Sequence, residues 1–415
     1  MPIHVERRAP AVTAPPQSGV TGKAAVMLAV ATLGFALNFW AWALLSPLGA
    51  HFKTALALSS FQQALLVAVP VVVGSVGRIP VGALTDRYGG RIMMPAVSFA
   101  TILPVLFIGL AGYRSYAALI AGGFFLGIAG TAFAVGVPFV SAWFPPARRG
   151  LAIGVFGAGM GGTAISALTT VKLVTRHGIR TPFVLVAVVL AAFGVLAALV
   201  MRDAPGRAVP TESALGRLVA TSKLAITWQA SALYAVGFGG YVAFSVYLPT
   251  YLKNAYALSQ TDAANKMAGF VLVAVLMRPV GGWLSDRFQP TRVLAVAFAV
   301  VTAFALVQSA TPSLRPTGTV AFLSMAAALG LASGAVFALV AQRAPTNRVG
   351  GVTGVVGAAG GLGGFIPPLF MGTIYGHTQS YAGGLIALSV VAALVLAYSS
   401  LGVKNAEVVP RRARA

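Results

Sequence analysis

The stretch RIPVGALTDR, from Arg78 to Arg87, returns 200 residues later as RPVGGWLSDR, from Arg278 to Arg287. Each copy opens with an arginine inside an apolar stretch and reaches an Asp-Arg pair eight residues later. The chain therefore contains two related parts. The repeat also raises the question of what an arginine does in apolar surroundings.

The composition around this repeat is that of a membrane protein. Of the 415 residues, 58% are hydrophobic and only 9% are charged, with a mean hydropathy of +0.87, whereas soluble domains carry about 25% charged residues. Apolar runs of about 20 residues can cross a hydrocarbon core of about 30 Å as helices, and the two-residue alternation of barrel strands does not occur. We therefore predict an all-α membrane protein. Its twelve predicted spans are residues 24–46, 59–84, 92–112, 116–143, 150–173, 181–201, 225–252, 262–285, 292–310, 317–342, 350–375 and 380–402.

The longest polar interruption lies near the middle of the chain and divides the spans into two sets of six. The predicted parts are an N-terminal tail (1–23), a first half (24–201), a central loop (202–224), a second half (225–402) and a basic C-terminal tail (403–415). Two pseudo-symmetric halves of equal orientation are typical of transporters that rock about a central site.

The basic residues indicate the topology. The 29 Lys and Arg residues outnumber the seven Asp and Glu residues and give a net charge of +22. Most of these basic residues fall on one side if the N-terminus is inside the cell, which is the side where membrane proteins retain basic loops. We predict a multi-pass cell-membrane protein with both termini cytoplasmic, in contact with the lipid bilayer and not with nucleic acid. The first apolar run is longer than a signal-peptide core, so we interpret it as a retained span rather than as part of a twin-arginine export signal at Arg7-Arg8.

The repeated arginines are the strongest functional signal. Eight helical residues at 1.5 Å each place Arg78 about 12 Å from the loop at Asp86, close to the bilayer centre, and Arg278 repeats this position. An arginine at that depth costs roughly 2.5 to 3.5 kcal/mol. None of the acidic residues lies in the middle of a predicted span; they are Glu6, Asp86, Asp203, Glu212, Asp262, Asp286 and Glu407. The two guanidinium groups therefore predict a site for a small planar anion, because each can donate parallel hydrogen bonds to an oxyanion; pairing with carbonyls and dipoles is the structural alternative.

The loop that ends each repeat carries a family resemblance. GALTDRYGGR, from Gly82 to Arg91, resembles the loop signature of the major facilitator superfamily, and GWLSDRFQPTR, from Gly282, is similar to a degenerate second copy. An Asp and nearby arginines at helix ends can form ion pairs between helices. The residues predicted to form such a cytoplasmic gate are Gly82, Asp86, Arg87, Arg91, Asp286 and Arg287.

Two glycine-rich helices narrow the resemblance to the nitrate/nitrite porter family. The stretch GVVGAAGGLGGFIPP, from Gly354, resembles a signature of that family, and FGGYVAFSVYLPTYL (Phe238 to Leu252) and WFPPARRGLAIG (Trp143 to Gly154) are similar to its other segments. Small residues three and four apart allow helix backbones to approach closely in lipid, and they leave smooth surfaces that can line a channel. The glycines in question are Gly154, Gly157, Gly159, Gly161, Gly357, Gly360, Gly361, Gly363 and Gly364.

The resemblance implies a role for particular side chains. Arg78 and Arg278 match the arginines that hold the substrate, Tyr234 matches a tyrosine that hydrogen-bonds it, and Phe133 and Phe238 match aromatics that sandwich it. Met160 stands where the family commonly has Asn, which leaves the preference between nitrate and nitrite open.

The predicted function is secondary active transport of nitrate or nitrite by alternating access, as nitrate/nitrite antiport or as proton-coupled nitrate uptake. A carrier of formate, oxalate or cyanate is the first alternative, since these anions would also use paired arginines, and a membrane anion sensor is the second. The spans hold no cluster of acid, base, nucleophile or metal ligands, so we predict no enzyme, no catalytic residue, no metal and no cofactor. We expect a monomer.

Overall fold

The computed structural model describes residues 22–207, 213–345 and 348–402. The predicted N-terminal tail, apart from residues 22 and 23, lies outside these described residues. Part of the central loop and the whole of the predicted tail at 403–415 lie outside them as well.

Twelve apolar helices long enough to cross a membrane occur in the described residues, which confirms the predicted number and class. They are α1 (Gly22–Ala55), α2 (Ser60–Tyr88), α3 (Gly90–Leu110), α4 (Tyr116–Trp143), α5 (Leu151–His177), α6 (Arg180–Val200), α7 (Ala225–Tyr256), α8 (Gln260–Phe288), α9 (Pro290–Ser309), α10 (Leu314–Arg343), α11 (Val349–Thr378) and α12 (Ala382–Leu401). Helices form because lipid offers no partner to backbone N–H and C=O groups, which must then bond within each span.

Several spans are interrupted along their length. In α2 a break at Gly77 separates Ser60–Val76 from Arg78–Tyr88. In α4 and α5 the interruptions are 3₁₀ turns, at Gly127–Thr131 and Ala158–Gly161. Irregular backbone of this kind is tolerated at membrane depth where it is covered by protein or lines a cavity, so the breaks indicate where to look for a site.

A short helix in the central loop, Ala214–Ser222, connects the halves α1–α6 and α7–α12. Its first residue follows Ser213, whose hydroxyl accepts a hydrogen bond from the Gly216 N–H at 3.0 Å. We call this element the linker helix. The side of the protein that holds the linker helix, Asp86 and Asp286 is the linker side, and the opposite side is the far side.

The two halves are tied together at the far side by buried hydrogen bonds. The Ser46 hydroxyl on α1 contacts the carbonyls of Ser245 and Val246 on α7, at 3.0 and 2.8 Å. The Gln63 amide on α2 donates to the Thr250 hydroxyl on α7 at 3.1 Å. On the linker side, α11 is less closely packed at Gly354, since a methyl group added there would meet no atom within 4 Å.

Candidate anion-binding site

Both repeated arginines are buried at the junction of the halves. Arg78 begins the second segment of α2, directly after the break at Gly77, and is 5% exposed. Arg278 lies within α8, next to Pro279, and is 7% exposed. In the described part of the chain, neither guanidinium forms an ion pair with a carboxylate.

Neutral groups satisfy several of the arginine N–H donors. Arg78 donates from Nη1 to the Gly357 carbonyl at 2.7 Å and from Nε to the Gly130 carbonyl at 3.4 Å. Arg278 donates from Nη2 to the Tyr234 hydroxyl at 2.9 Å, and its Nη1 lies against the Met160 sulfur, the nearest acceptor. The pairing with carbonyls, which is the structural alternative, thus occurs at Arg78. However, all of these acceptors are neutral, so they do not offset the positive charge of either arginine.

Two phenylalanine rings flank both guanidinium groups. The Cζ atom of Arg78 lies 5.1 Å from the Phe133 ring centroid and 5.6 Å from that of Phe238. For Arg278 the corresponding distances are 5.8 and 5.6 Å. Cations within about 6 Å of a ring face are attracted by its π electrons. Two positive charges therefore lie beside two apolar ring faces, an arrangement that suits a small planar anion.

Tyr234 and Phe337 complete the aromatic wall. The Tyr234 ring is fully buried and stacks on Phe238, with centroids 4.8 Å apart and an interplanar angle of 3°. Phe337 meets the same tyrosine edge-on at 4.8 Å and lies 5.6 Å from the Arg278 Cζ atom. Phe337 was missed in the sequence. At the 200-residue offset of the repeat it aligns with Val137 and not with Phe133, so the repeat carries no signal for it.

The glycine-rich helices bring backbone close to these side chains. Methyl groups added at Gly157 and Gly357 would lie 3.8 Å from Arg278 and Arg78, respectively, so both glycines face the guanidinium groups. At Gly360 a methyl group would come within 2.6 Å of a Tyr234 ring carbon. The other predicted glycines pack against neighbouring elements or face open space: Gly154 against Pro279, Gly159 against Phe35, Gly361 against Ser75, Gly363 against Ala235, Gly364 against Val242, and Gly161 with no atom within 4 Å of an added methyl group.

A small cavity adjoins Arg78. Its lining includes Trp42, Ser75 and Phe238, and it leaves about 10 Å³ for the centre of a water molecule. That space is close to the room one buried water needs. The interior beside Arg78 is therefore closely packed.

The predicted gate residues lie on the linker side, away from the arginine pair. Asp86 forms a 2.6 Å ion pair with Arg217 of the linker helix, and both side chains are partly exposed. Arg207 donates to the backbone carbonyls of Asp86 and Arg87 at 2.8 and 3.3 Å. The Arg91 N–H donates to Asp203 at 3.2 Å, and an added methyl group at Gly82 would lie 4.0 Å from Ala134.

The second loop differs from the first. Arg287 lies over the rings of Trp283 and Phe288, at 6.0 and 5.7 Å. Within the described ranges Asp286 forms no ion pair. Only the first loop therefore shows the carboxylate–guanidinium contact that a gate would use, and its partner comes from the linker helix, which the sequence pattern did not reveal.

Comparison with known proteins places this geometry in a family. A family model described as Major Facilitator Superfamily matches residues 31–368. A probable nitrate/nitrite transporter, NarK2, from Mycobacterium tuberculosis is 48% identical over 379 residues, covering 91% of this chain and 96% of that protein. The nitrite extrusion protein of Bacillus subtilis is 35% identical over 367 residues, covering 88% and 91%. The chain belongs to the nitrate/nitrite porter family of the major facilitator superfamily.

Solved structures agree with the fold of this porter. A bacterial homolog of the human lysosomal transporter Spinster, in an inward-facing and occupied conformation, superimposes with a TM-score of 0.72 at 19% identity, covering 92% of the porter and 97% of that chain. The likeness confirms the major facilitator fold with its two halves of six helices. All six residues predicted to bind substrate in this porter lie close to the two arginines; they are Arg78, Phe133, Met160, Tyr234, Phe238 and Arg278.

Proposed function

We propose that this porter carries nitrate and nitrite across the membrane by alternating access, with the anion bound between Arg78 and Arg278. One observation carries the proposal: two buried guanidinium groups share the faces of Phe133 and Phe238, and no carboxylate pairs with them in the described residues. The oxygens of a planar anion would accept hydrogen bonds from both arginines, while its faces lie against the two rings. The names of the relatives, which specify nitrate and nitrite, support this choice of anion.

Charge explains how binding would drive the cycle. Two like charges in a low-dielectric interior repel each other, so a bound anion, with its negative charge between them, favours the closed arrangement by offsetting that repulsion. Each half contributes one arginine, so the two halves can close around the anion on one side of the membrane and then open on the opposite side. We propose that the linker side faces the cytoplasm and that the partly exposed Asp86–Arg217 pair helps to close it. We also propose that one chain works alone, since it supplies both arginines.

The coupling of transport follows from which groups can carry protons. The described aspartates lie at or beyond helix ends: Asp86, Asp203, Asp262 and Asp286. Proton-driven carriers usually use Asp, Glu or His within the membrane. This placement favours nitrate/nitrite exchange, with proton-coupled nitrate uptake as the alternative. A counterflow assay in vesicles, with and without a pH gradient, distinguishes the two.

Reconstituted vesicles test the proposal directly. Arg78→Ala or Arg278→Ala should reduce uptake of labelled nitrate by about 100-fold or more, because truncating one buried charge removes several kcal/mol of anion binding. Arg114→Ala, on an exposed loop beside Tyr113, serves as the matched control. Near-normal transport in a correctly inserted Arg78→Ala variant would contradict the proposal. Stronger competition by formate, oxalate or cyanate than by nitrite would reassign the anion.

A further inference from the structure

The two arginines reach across the junction to acceptors in opposite halves. Arg78 of the first half donates to the Gly357 carbonyl on α11, and Arg278 of the second half donates to the Met160 sulfur on α5. Both acceptors belong to the glycine-rich helices. The protein therefore supplies its own acceptors for the N–H groups that an anion between the arginines would use, and each such bond joins one half to the other.

Met160 is the more unusual of the two acceptors. It lies in the 3₁₀ turn Ala158–Gly161 and is 2% exposed. Its carbonyl accepts from the Thr163 hydroxyl at 2.9 Å, and that hydroxyl is 3.2 Å from the Tyr241 hydroxyl of the second half. The backbone at Met160 is thus connected, through Thr163, to Tyr241 of the second half. A thioether accepts hydrogen bonds weakly and donates none.

These properties affect the step in which the empty carrier returns to the other side of the membrane. Bringing the halves together without an acceptor would leave buried guanidinium N–H groups unsatisfied, which is costly. A sulfur that accepts the Arg278 N–H lowers this cost. Because the sulfur is neutral and a weak acceptor, an anion oxygen forms the stronger, charge-assisted bond and can displace it.

We propose that the Met160 thioether is a built-in substitute for one oxygen of the anion, which allows the carrier to reorient empty. The inference rests on the proposed transport function and deepens it, because it identifies a residue that sets the ratio of net transport to exchange. Exchange requires only loaded crossings of the membrane. Net transport requires an empty return, and the Arg278–Met160 bond acts on that step.

The test measures both rates in the same vesicles. Exchange is followed as labelled nitrate entering vesicles that contain unlabelled nitrate. Net uptake is followed into nitrate-free vesicles, with potassium and valinomycin to balance the charge. Met160→Leu keeps the volume of the side chain and removes the acceptor, so the ratio of net uptake to exchange should fall about fivefold or more. Met160→Gln, whose amide oxygen accepts a hydrogen bond, should restore the ratio.

Met94→Leu provides the matched control, since Met94 is fully buried in the first half and its sulfur lies near Gly34 rather than near either arginine. Proportional loss of both rates in Met160→Leu would show that Met160 acts only in anion binding, and would overturn the inference. Failure of the unaltered protein to exchange nitrate would instead overturn the proposed function.

A second measurement reports reorientation without any transport. The chain contains no cysteine, so a single Val67→Cys probe near the far-side ties can be labelled with a thiol reagent in nitrate-free vesicles. Adding Met160→Leu should slow this labelling about fivefold, and adding Met94→Leu should leave it unchanged. Equal labelling rates with and without Met160→Leu would also overturn the inference.

Discussion

In the proposed site, the Tyr234 hydroxyl can serve both the protein and a bound anion. Its oxygen accepts a hydrogen bond from Arg278 Nη2, which leaves the hydroxyl proton available to be donated. Its ring stacks on Phe238, so the hydroxyl and one face of the site are fixed together. A rigid aromatic ring holds a hydrogen-bond donor in place and loses less conformational entropy than a longer polar side chain would.

Removal of that hydroxyl should weaken anion binding while preserving the aromatic wall. In Tyr234→Phe the Arg278 N–H loses its acceptor and the anion loses a donor, so KM for nitrate should rise about 5- to 100-fold. Tyr116→Phe, on a lipid-facing groove with Phe124 and Phe125, should leave KM unchanged. Initial uptake rates over a range of nitrate concentrations measure both. An unchanged KM in Tyr234→Phe would mean that its hydroxyl does not contact the anion.

The sequence reveals the charged members of the site better than its neutral ones. Arg78 and Arg278 are conspicuous because a charge within an apolar run has few explanations. Phe337 looks like any other aromatic residue of a membrane span, and the Gly130 and Gly357 carbonyls carry no side-chain signal. Their roles depend on which helices meet, and that information is three-dimensional.

The glycine-rich helices place backbone where side chains would obstruct the site. On α11, Gly357 supplies a carbonyl to Arg78, and one turn further Gly360 lies against the Tyr234 ring. The helix therefore acts as a flat surface that supports the tyrosine. Close approach through small residues is a general way to pack helices in lipid, and here it also sets the position of the Tyr234 ring.

Two substitutions on α11 test whether its glycines are needed to support Tyr234 or only to keep the helix flexible. Gly360→Ala should displace the Tyr234 ring, since the new methyl group would come within 2.6 Å of it, and should reduce nitrate uptake by about tenfold or more. Gly354→Ala has open space around the methyl group and should transport at close to the normal rate. Equal loss in both variants would indicate that helix flexibility, and not support of Tyr234, explains the glycines.

The sequence predicts the twelve membrane spans more completely than the breaks within them. Apolar run length fixes the twelve spans, because each must cross the bilayer. The breaks at Gly127–Thr131 and Ala158–Gly161 have no comparable signal, since glycine also occurs within unbroken helices such as α8. The Asp86–Arg217 pair was missed because its members are far apart in sequence and meet only when the linker helix folds back on α2.

Across the whole molecule, the far-side bonds and the arginine pair oppose each other. Buried bonds from Ser46 and Gln63 to α7 hold the halves together at the far side, while two like charges in the centre favour separation. The amide oxygen of Gln63 has no hydrogen-bond partner in the described structure. Each of these bonds contributes only about 1 kcal/mol, so a bound anion can shift the balance between the two open forms.

Paired cysteine probes test this balance, because alternating access requires exposure to change in opposite directions on the two sides. In the cysteine-free chain, Gly354→Cys reports the linker side and Val67→Cys the far side. Combining Ser46→Ala with Gln63→Leu removes the far-side bonds and should raise labelling at position 67 about tenfold, while lowering it at position 354. Thr54→Ala, at the exposed end of α1, serves as the control for a lost hydroxyl. Because a rigid-body movement closes one side as it opens the other, labelling that rises at both positions would indicate general loosening and would contradict the rocking of the two halves.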